Sequence, residues 1–481
     1  MQRLTQFSLL AAVALAPACR DAATAAPISQ QVFQAVSASL SGPTSAPAQA
    51  FAIVPAARVT PIITSGDAIG SAGYVYGPVP DGLGGYSDGE SLVLYSHHEL
   101  SAGGVRKTDG TSDWKFARVS RLVIDPRTLA VTDATYVLDA GGQYQRLCSA
   151  TWVGAREGFP SGYFLTGEEN SGGAHDGVQL AIGRDGVRHE LPWLGRYAHE
   201  NQIAIPGFPG KVVLAGFDDT RGASELYLYV ANSEADVLSG AGQLYAFASG
   251  GAAGSGYLTE GQTISGHFVA VPNSGALSSS QLQAVVNGLG AFPFVRLEDG
   301  DYDHRQSQNG SGGGPAIYFV DTGAPTVLCN GVACDAFGSI YRMEFDASNP
   351  TENARLTLLQ RSRGADVDWA SPDNVASGKT SLMVQEDPAY PGFARAQRIY
   401  NFHTNASGGF VDRGQAVVET DNASCVEPTG NCWETSGIID ASAWFGAGSW
   451  LFDVQAHSLP IPSQNLTGEG GQLLLLRLPG S

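Results

Sequence analysis

Carboxylates recur along this chain in pairs or beside histidine, and one thiol stands among them. Between Arg146 and Asp219 lie Cys148, Glu168-Glu169, His199-Glu200 and Asp218-Asp219. Clustered carboxylates repel one another and are tolerated when a cation or solvent lies between them, and Ca2+ takes its ligands from such oxygens. The stretch therefore reads as part of a metal site. Elsewhere His97-His98-Glu99, Arg296-Leu297-Glu298, Asp373-Asn374, Glu386-Asp387, Glu434 and His457 repeat the theme. Arg296 and Arg342 are the cations among them. Arginine offers a planar fork of donors that fits phosphate oxygens, and beside bound metals it would clamp a phosphoryl group. Taken singly, a carboxylate after a strand is ordinarily a solvated turn residue, an arginine near glutamate a salt bridge, and a histidine such as His199 a core residue. The number of these groups and their coincidence with Cys148 carry the metal reading.

The chain has six cysteines. Cys19 belongs to the N-terminal segment. Cys329 with Cys334, and Cys425 with Cys432, are close pairs in turn-rich sequence and read as loop disulfides of an exported protein. Cys148 remains. In an oxidising compartment such a cysteine is either buried and inert or held as a thiolate by a metal, and its acidic neighbours favour the second.

The elements that must position these groups are strands. Short β-rich runs alternate with Gly, Asp, Asn or Pro: Ser91–Tyr95, Arg121–Asp125, Glu225–Val230, Gln243–Phe247, Ala316–Val320, Gly338–Phe345, Ser381–Val384, Gln397–Phe402, Trp450–Val454 and Gln472–Leu478. Tyr163–Gly167 and Val212–Phe217 end on the acidic pairs. Helical patterns are few, the best being Ile28–Leu40 and Ser279–Gly288. Many strands without interleaved helices mean an all-β protein, and at this length, with no linker, a β-propeller is the economical form. The uneven spacing implies long inter-blade loops, and six blades are expected. The expected division is a signal peptide over 1–26, an extended lead-in over 27–85 partly in the first blade, and one propeller domain over 86–481.

The 481 residues, 43% hydrophobic and 15% charged, describe a globular chain with a sizeable core. A formal net charge of −19 makes nucleic acid and anionic membrane poor partners. Arg3, the apolar run Phe7–Ala16 and the small residues that follow form an export signal, so the chain is expected in the periplasm or secreted. Ala16-Pro17-Ala18-Cys19 is an imperfect lipobox that would make Cys19 a lipid anchor. Cleavage near Ala23–Ala26 is the alternative and the better fit, because Pro17 suits a lipobox poorly. Serine-hydrolase elbow, phosphate-loop and zinc-helix motifs are absent.

The ordered set of motifs resembles the PhoX-type alkaline phosphatases, exported six-bladed propellers that use calcium and iron. The family's Asn-His-Glu is similar to His97-His98-Glu99, and its cysteine followed by a strand ending Cys-Glu-Glu is similar to Cys148 and Thr166-Gly167-Glu168-Glu169. Its Gly-Arg-Phe-x-His-Glu resembles Gly195–Glu200, its Asp-Asp pair Asp218-Asp219, its Arg-Pro-Glu Arg296-Leu297-Glu298, and its Pro-Asp-Asn Pro372–Asn374. Its Glu-x-Thr-Gly resembles Glu434–Gly437 and its Ile-Gln-His Val454–His457. The resemblance implies metal-assisted hydrolysis of a small phosphorylated substrate; a monomer is expected. Cys148, Glu168, Glu169, Glu200, Asp218, Asp219, Glu298 and Glu434 would hold Ca2+ and Fe3+, and Arg296 and Arg342 would act on phosphate. The chain departs from the family pattern in lacking Gly-Gly after the cysteine, in His97 for Asn and in Leu297 for Pro. The alternatives are a calcium-only propeller hydrolase of phytase or lactonase kind, and a calcium-stabilised propeller that binds partners without catalysis.

Overall fold

The computed structural model describes residues 44–70, 73–305, 314–388, 394–422, 425 and 432–479. The expected signal segment, Cys19 and the helix over Ile28–Leu40 lie outside these residues. Most of the described strands fall into six antiparallel groups of four, the arrangement of a β-propeller, and three two-stranded sheets lie apart from them. Blade one holds Pro80–Asp88, Ser91–His98, Arg118–Ile124 and Val131–Leu138. Blade two holds Leu147–Val153, Tyr163–Glu168, Gln179–Gly183 and Arg188–Glu190. Blade three holds His199–Ala204, Val212–Asp218, Leu226–Ala231 and Gln243–Ser249. Blade four holds Leu297–Tyr302, Ala316–Asp321, Ser339–Glu344 and Ala354–Arg361. Its outer strand pairs with an extra strand of blade three, Thr263–Ala270, which joins the two into one sheet. Blade five holds Pro372–Ser377, Ser381–Glu386, Arg398–His403 and Gln415–Thr420, edged by Ala50–Ala52. Blade six takes Glu434–Asp440, Ser449–Ala456 and Gly470–Arg477 from the end of the chain and Arg58–Thr64 from its beginning. The first-named strand of each blade is the inner one. Each inner strand touches the next, and the sixth touches the first.

The lead-in is thus not a first-blade extension alone. Ala50–Ala52 edges blade five, Arg58–Thr64 closes blade six, and Pro80–Asp88 runs across the expected limit at residue 85. Closure by a strand from the opposite end of the chain removes the exposed edges that an open ring would leave. The apolar runs read from the sequence are the second and third strands of their blades, except Gln243–Phe247 in the fourth strand of blade three; Val212–Asp218 and Ser449–Ala456 are buried throughout, between the adjoining blades. The expected helix is present as Ser279–Leu289, with Ser278 and Gln281 forming a capping box. Both expected disulfides are formed, Cys329–Cys334 and Cys425–Cys432.

The inner strands carry few apolar side chains because they crowd around the axis. A Cβ on Gly82 would lie 2.7 Å from both the Ala150 nitrogen and the Cys148 oxygen. At Gly437, whose φ is +42°, it would lie 2.7 Å from the Asp81 oxygen. Small residues here let neighbouring backbones approach. The core lies instead between the blades. Leu475, on the strand paired with Arg58–Thr64, packs with Ile62, Ile63, Leu83, Leu94 and Leu451 between blades six and one. Leu475→Ala should therefore destabilise the protein by about 3 kcal/mol, the cost of an unfilled core cavity, read as a lower midpoint in denaturant unfolding.

Candidate metal centre

One backbone device recurs at the head of five inner strands. The first residue of the strand pairs with the last residue of the second strand: Pro80 with His98, Leu147 with Glu168, His199 with Asp218, Leu297 with Asp321, Pro372 with Glu386. The register then shifts, so that two inner-strand residues oppose one partner residue. Such bulges re-aim side chains. The bulged pairs are Asp81-Gly82, Cys148-Ser149, Glu200-Asn201, Glu298-Asp299 and Asp373-Asn374. The first member of each carries the candidate chemistry.

The second strands contribute by alternation. In Glu168-Glu169 and Asp218-Asp219 the first member ends the strand and turns back onto backbone. Glu168 accepts from the Gln145 and Gly177 amides at 2.9 and 3.3 Å, and Asp218 accepts from the Thr220 amide at 2.9 Å. Glu386 does the same with the Ala370 and Arg398 amides. The next residue, Glu169 or Asp219, joins the bulged residues at the axis.

Three sets of ligand atoms result, each within 4.8 Å: Asp81, Glu99 and Cys148; Cys148, Glu169 and Glu200; Glu200, Asp219 and Glu298. They share Cys148 and Glu200, and so form a continuous row from blade one to blade four. All seven residues are buried. Arg146 and Arg296 lie along the row. The Arg146 Nε and Nη2 are 3.3 Å from Glu99 Oε1 and 2.6 Å from Glu169 Oε1. The Arg296 Nε is 2.6 Å from Asp219 Oδ1, and its Nη2 is 2.9 Å from Glu298 Oε1. Arg221 also lies among Asp219, Glu298 and Asp387.

Below the row, the second bulge residues form a hydrogen-bonded floor. Ser149 donates to Glu200 Oε2 at 2.8 Å, Asn374 Nδ2 to Ser149 at 3.2 Å, and Asn201 Nδ2 to Asp299 Oδ1 at 2.7 Å. Ser436 donates to Asp81, and Gln455 Nε2 donates to Asp81 Oδ2 at 3.0 Å and Glu99 Oε2 at 3.2 Å. On the far side of this floor the channel opens as a cavity of about 200 Å³ lined by Asn201, Asp299 and Asn374.

The charges fit cations. Burial holds Asp81, Glu169, Glu200 and Glu298 well above the usual carboxylate range. Glu99 and Glu434 raise Asp81 further, Asp219 raises Glu169 despite Arg146, Glu169 raises Glu200, and Asp219 raises Glu298 despite Arg296. Asp373 is raised by burial, Glu434 and Glu200. Glu169 Oε2, Glu200 Oε1 and Asp373 Oδ1 are buried with no hydrogen-bond partner among the described residues. Buried oxygens of this kind, left unsatisfied by protein donors, are what a bound cation would complete.

Cys148, Glu169, Glu200, Asp219, Glu298 and Arg296 are thus brought together. Glu168 and Asp218 stand beside them with their oxygens on backbone amides. Glu434 is 3.5 Å from His457 Nε2, and His457 in turn is 2.8 Å from Glu469. Arg342 is elsewhere: on the third strand of blade four it pairs with Asp303 and Glu344. His97 and His199 are buried and neutral, burial pushing each down to about 3. Asp81 was missed by sequence reasoning, as was the role of Arg146. A signal for Asp81 exists in the recurring triplet Pro80-Asp81-Gly82, Leu147-Cys148-Ser149, His199-Glu200-Asn201, Leu297-Glu298-Asp299 and Pro372-Asp373-Asn374.

A family model described as Alkaline phosphatase PhoX matches residues 185–438, more than half of the chain. The chain belongs to the PhoX alkaline phosphatase family. The PhoX match takes in Glu200, Asp219, Arg296, Glu298, Asp373 and Glu434, while Asp81, Glu99, Cys148 and Glu169 precede it. In fold the chain is similar to Pseudomonas fluorescens PhoX, solved in complex with vanadate, a transition state analogue. The TM-score is 0.62 and the identity 12%, over 91% of this chain and 98% of that one. A GH43_1 enzyme from Xanthomonas citri matches at a TM-score of 0.35 with 11% identity, over 86% of this chain and 89% of that one. No curated protein sequence matches the chain.

The raised carboxylates set a pH dependence for the metal-free protein. Above about pH 4, the ordinary carboxylate value, the folded chain keeps protons on these carboxylates that the unfolded chain has released. Their contribution to stability is therefore full at low pH and is lost as pH rises through the folded values, whereas His97, His98 and His199, pushed down to about 3 by burial, contribute stability that is lost as pH falls below about 6.5. Above about pH 6.5, where those histidines are neutral in both states, melting temperature in chelator should fall toward about pH 8, and added Ca2+ should flatten or reverse that slope by favouring the ionised carboxylates.

Proposed function

We propose that this chain is an exported, metal-dependent phosphomonoesterase of the alkaline phosphatase kind, acting on a small phosphorylated substrate at the head of the propeller channel. The observation that carries the reading is the buried row in which Cys148 and Glu200 are each shared between neighbouring ligand sets. Asp81, Glu99, Cys148, Glu169, Glu200, Asp219 and Glu298 would hold the ions. The mixed donor set suits calcium at its all-carboxylate end and iron at its thiolate. The two disulfides support an oxidising compartment, periplasmic or external. Among the described residues no helix is long and apolar enough to cross a membrane.

The chemistry such cations supply is neutralisation of phosphoryl oxygens and activation of an oxygen nucleophile. The protein's own contribution is position and charge. Against burial, which opposes its charge, Asp219, Glu298 and Asp387 hold Arg296 cationic. Two edges of its fork are engaged by carboxylates. Its Nη1 is 3.9 Å from Asp387 Oδ2, beyond hydrogen-bond reach, and can donate to a phosphoryl oxygen as charge builds there. Ser149 and Gln455 fix the carboxylates from below and Asn374 holds Ser149, so the ligands need not reorganise when substrate arrives.

Hydrolysis of a simple aryl phosphate at alkaline pH, with metal analysis of the same preparation, tests this reading. Turnover should require bound metal and be abolished by chelation; a protein reloaded with calcium and iron that turns over no monoester would overturn it. The calcium-only alternative is favoured by one contact, Cys148 Sγ at 3.4 Å from Asp81 Oδ2, in which the sulfur serves as a thiol donor. Cys148→Ser separates the two. Loss of iron with a fall in activity of about 100-fold or more is expected, whereas unchanged activity and metal content would establish the calcium-only form.

A further inference from the structure

Arg146 and Arg296 occupy equivalent places in their blades. Each lies two residues before the bulged ligand, Cys148 or Glu298, and each offers its carbonyl to the residue that follows the second strand. The Glu169 amide bonds to the Arg146 oxygen at 2.9 Å and the Thr322 amide to the Arg296 oxygen at 2.9 Å. The other three bulged blades have Val79, Ala198 and Ser371 at this position, so only blades two and four place a guanidinium there. The Arg146 backbone is left-handed, with φ 51°, as are Val79 at 49° and Ser371 at 48° in the same place, so the conformation belongs to the turn at this position and the guanidinium is what sets Arg146 apart. Between the two arginines run Glu169 and Asp219, whose charges bear on each other. The interactions run in the order Glu99, Arg146, Glu169, Asp219, Arg296, Glu298.

Arg296 is almost wholly enclosed, its side chain 4% exposed, whereas that of Arg146 is 21% exposed. Each guanidinium bridges two carboxylates of the row, Glu99 and Glu169 for Arg146, Asp219 and Glu298 for Arg296, so a phosphoryl group held beside the row would lie between the two. We propose that Arg146 is a second phosphate-binding residue, forming with Arg296 a two-sided clamp that selects the dianionic phosphomonoester over the singly charged diester. This rests on the phosphomonoesterase reading above. A dianion offers three terminal oxygens, enough for both forks and the cations, whereas a diester offers two and brings a second organic group against Arg146.

The test uses the metal-loaded full chain, with a monoester, a diester and inorganic phosphate as probes, comparing Arg146→Gln and Arg146→Lys with the natural protein. Arg146→Gln should raise the monoester KM and the inhibition constant of phosphate by about tenfold to about hundredfold, with kcat changed far less, while the diester KM moves about twofold at most. Arg146→Lys keeps a positive charge between Glu99 and Glu169 but not the fork. It should retain metal content and melting temperature and still lose most of the monoester preference. Equal changes for monoester and diester, or full rescue of preference by lysine, would show that Arg146 only balances charge and would overturn the clamp. If the natural protein neither binds phosphate nor hydrolyses the monoester, the phosphomonoesterase reading falls and takes the clamp with it. If it does both and Arg146→Gln is unchanged, the clamp alone falls.

Discussion

The structure is governed by the cost of packing six buried carboxylates and a thiol along one row at the end of a channel. Burial alone disfavours each charge, and proximity disfavours them jointly; two arginines offset only part of this. A flexible scaffold would relieve the strain by moving the groups apart. Here they cannot separate, because each is anchored in a strand that is paired to its neighbour and pressed against the next blade. The closing strand Arg58–Thr64 makes that restraint circular, so that no blade can swing outward alone. The scaffold thus maintains an excess of negative charge that only protons or cations can relieve.

The repeated bulge converts a generic propeller into this site. In a regular strand, neighbours point to opposite faces, so an inner strand would send alternate residues toward the axis. Inserting one residue at the strand head gives two consecutive residues near the axis, and the chain uses them as two levels. The upper level supplies Asp81, Cys148, Glu200, Glu298 and Asp373. The lower supplies Ser149, Asn201, Asp299 and Asn374, which can exchange hydrogen bonds across the axis because they are short and mix donors with acceptors. Four residues of the ligand row and their support come from one local irregularity repeated along the chain, and Glu99, Glu169 and Asp219 join them from the ends of the second strands.

This explains what the sequence could and could not disclose. The second and third strands were legible because burial on both faces makes them apolar runs, as in Ser91–Tyr95 or Gln472–Leu476. The inner strands were not, because crowding and site duty replace apolar residues with Gly, Asp, Asn and Ser; Pro80–Asp88 has the composition of a turn. The acidic pairs were legible as strand ends, but not which member does what. Strand alternation sends Glu169 and Asp219 to the axis and keeps Glu168 and Asp218 on backbone amides, a distinction that needs the register to be known. Arg342 fails for the same reason: nothing local says that its strand is third from the axis, where Asp303 and Glu344 are its partners. Asp81, in a segment read as lead-in, needed the pairing of Pro80 with His98 to be placed.

Blade six shows why the row is an arc and not a ring. Its register break comes later, after Ser436 and at Gly437, so Glu434 and Thr435 remain in regular pairing with Gln455 and Val454. Glu434 is therefore not re-aimed as its counterparts are, and it meets His457, which Glu469 and Glu434 hold cationic against the opposing effect of burial. The residue that does reach Asp81 from this blade is Ser436, a neutral donor, together with Gln455 from the second strand. Blade six so closes the circle with hydrogen-bond donors where blades one to four present ligands. A shift of two residues in where the bulge falls is enough to turn one blade from a source of negative charge into its support, and it sets where the ligand row ends.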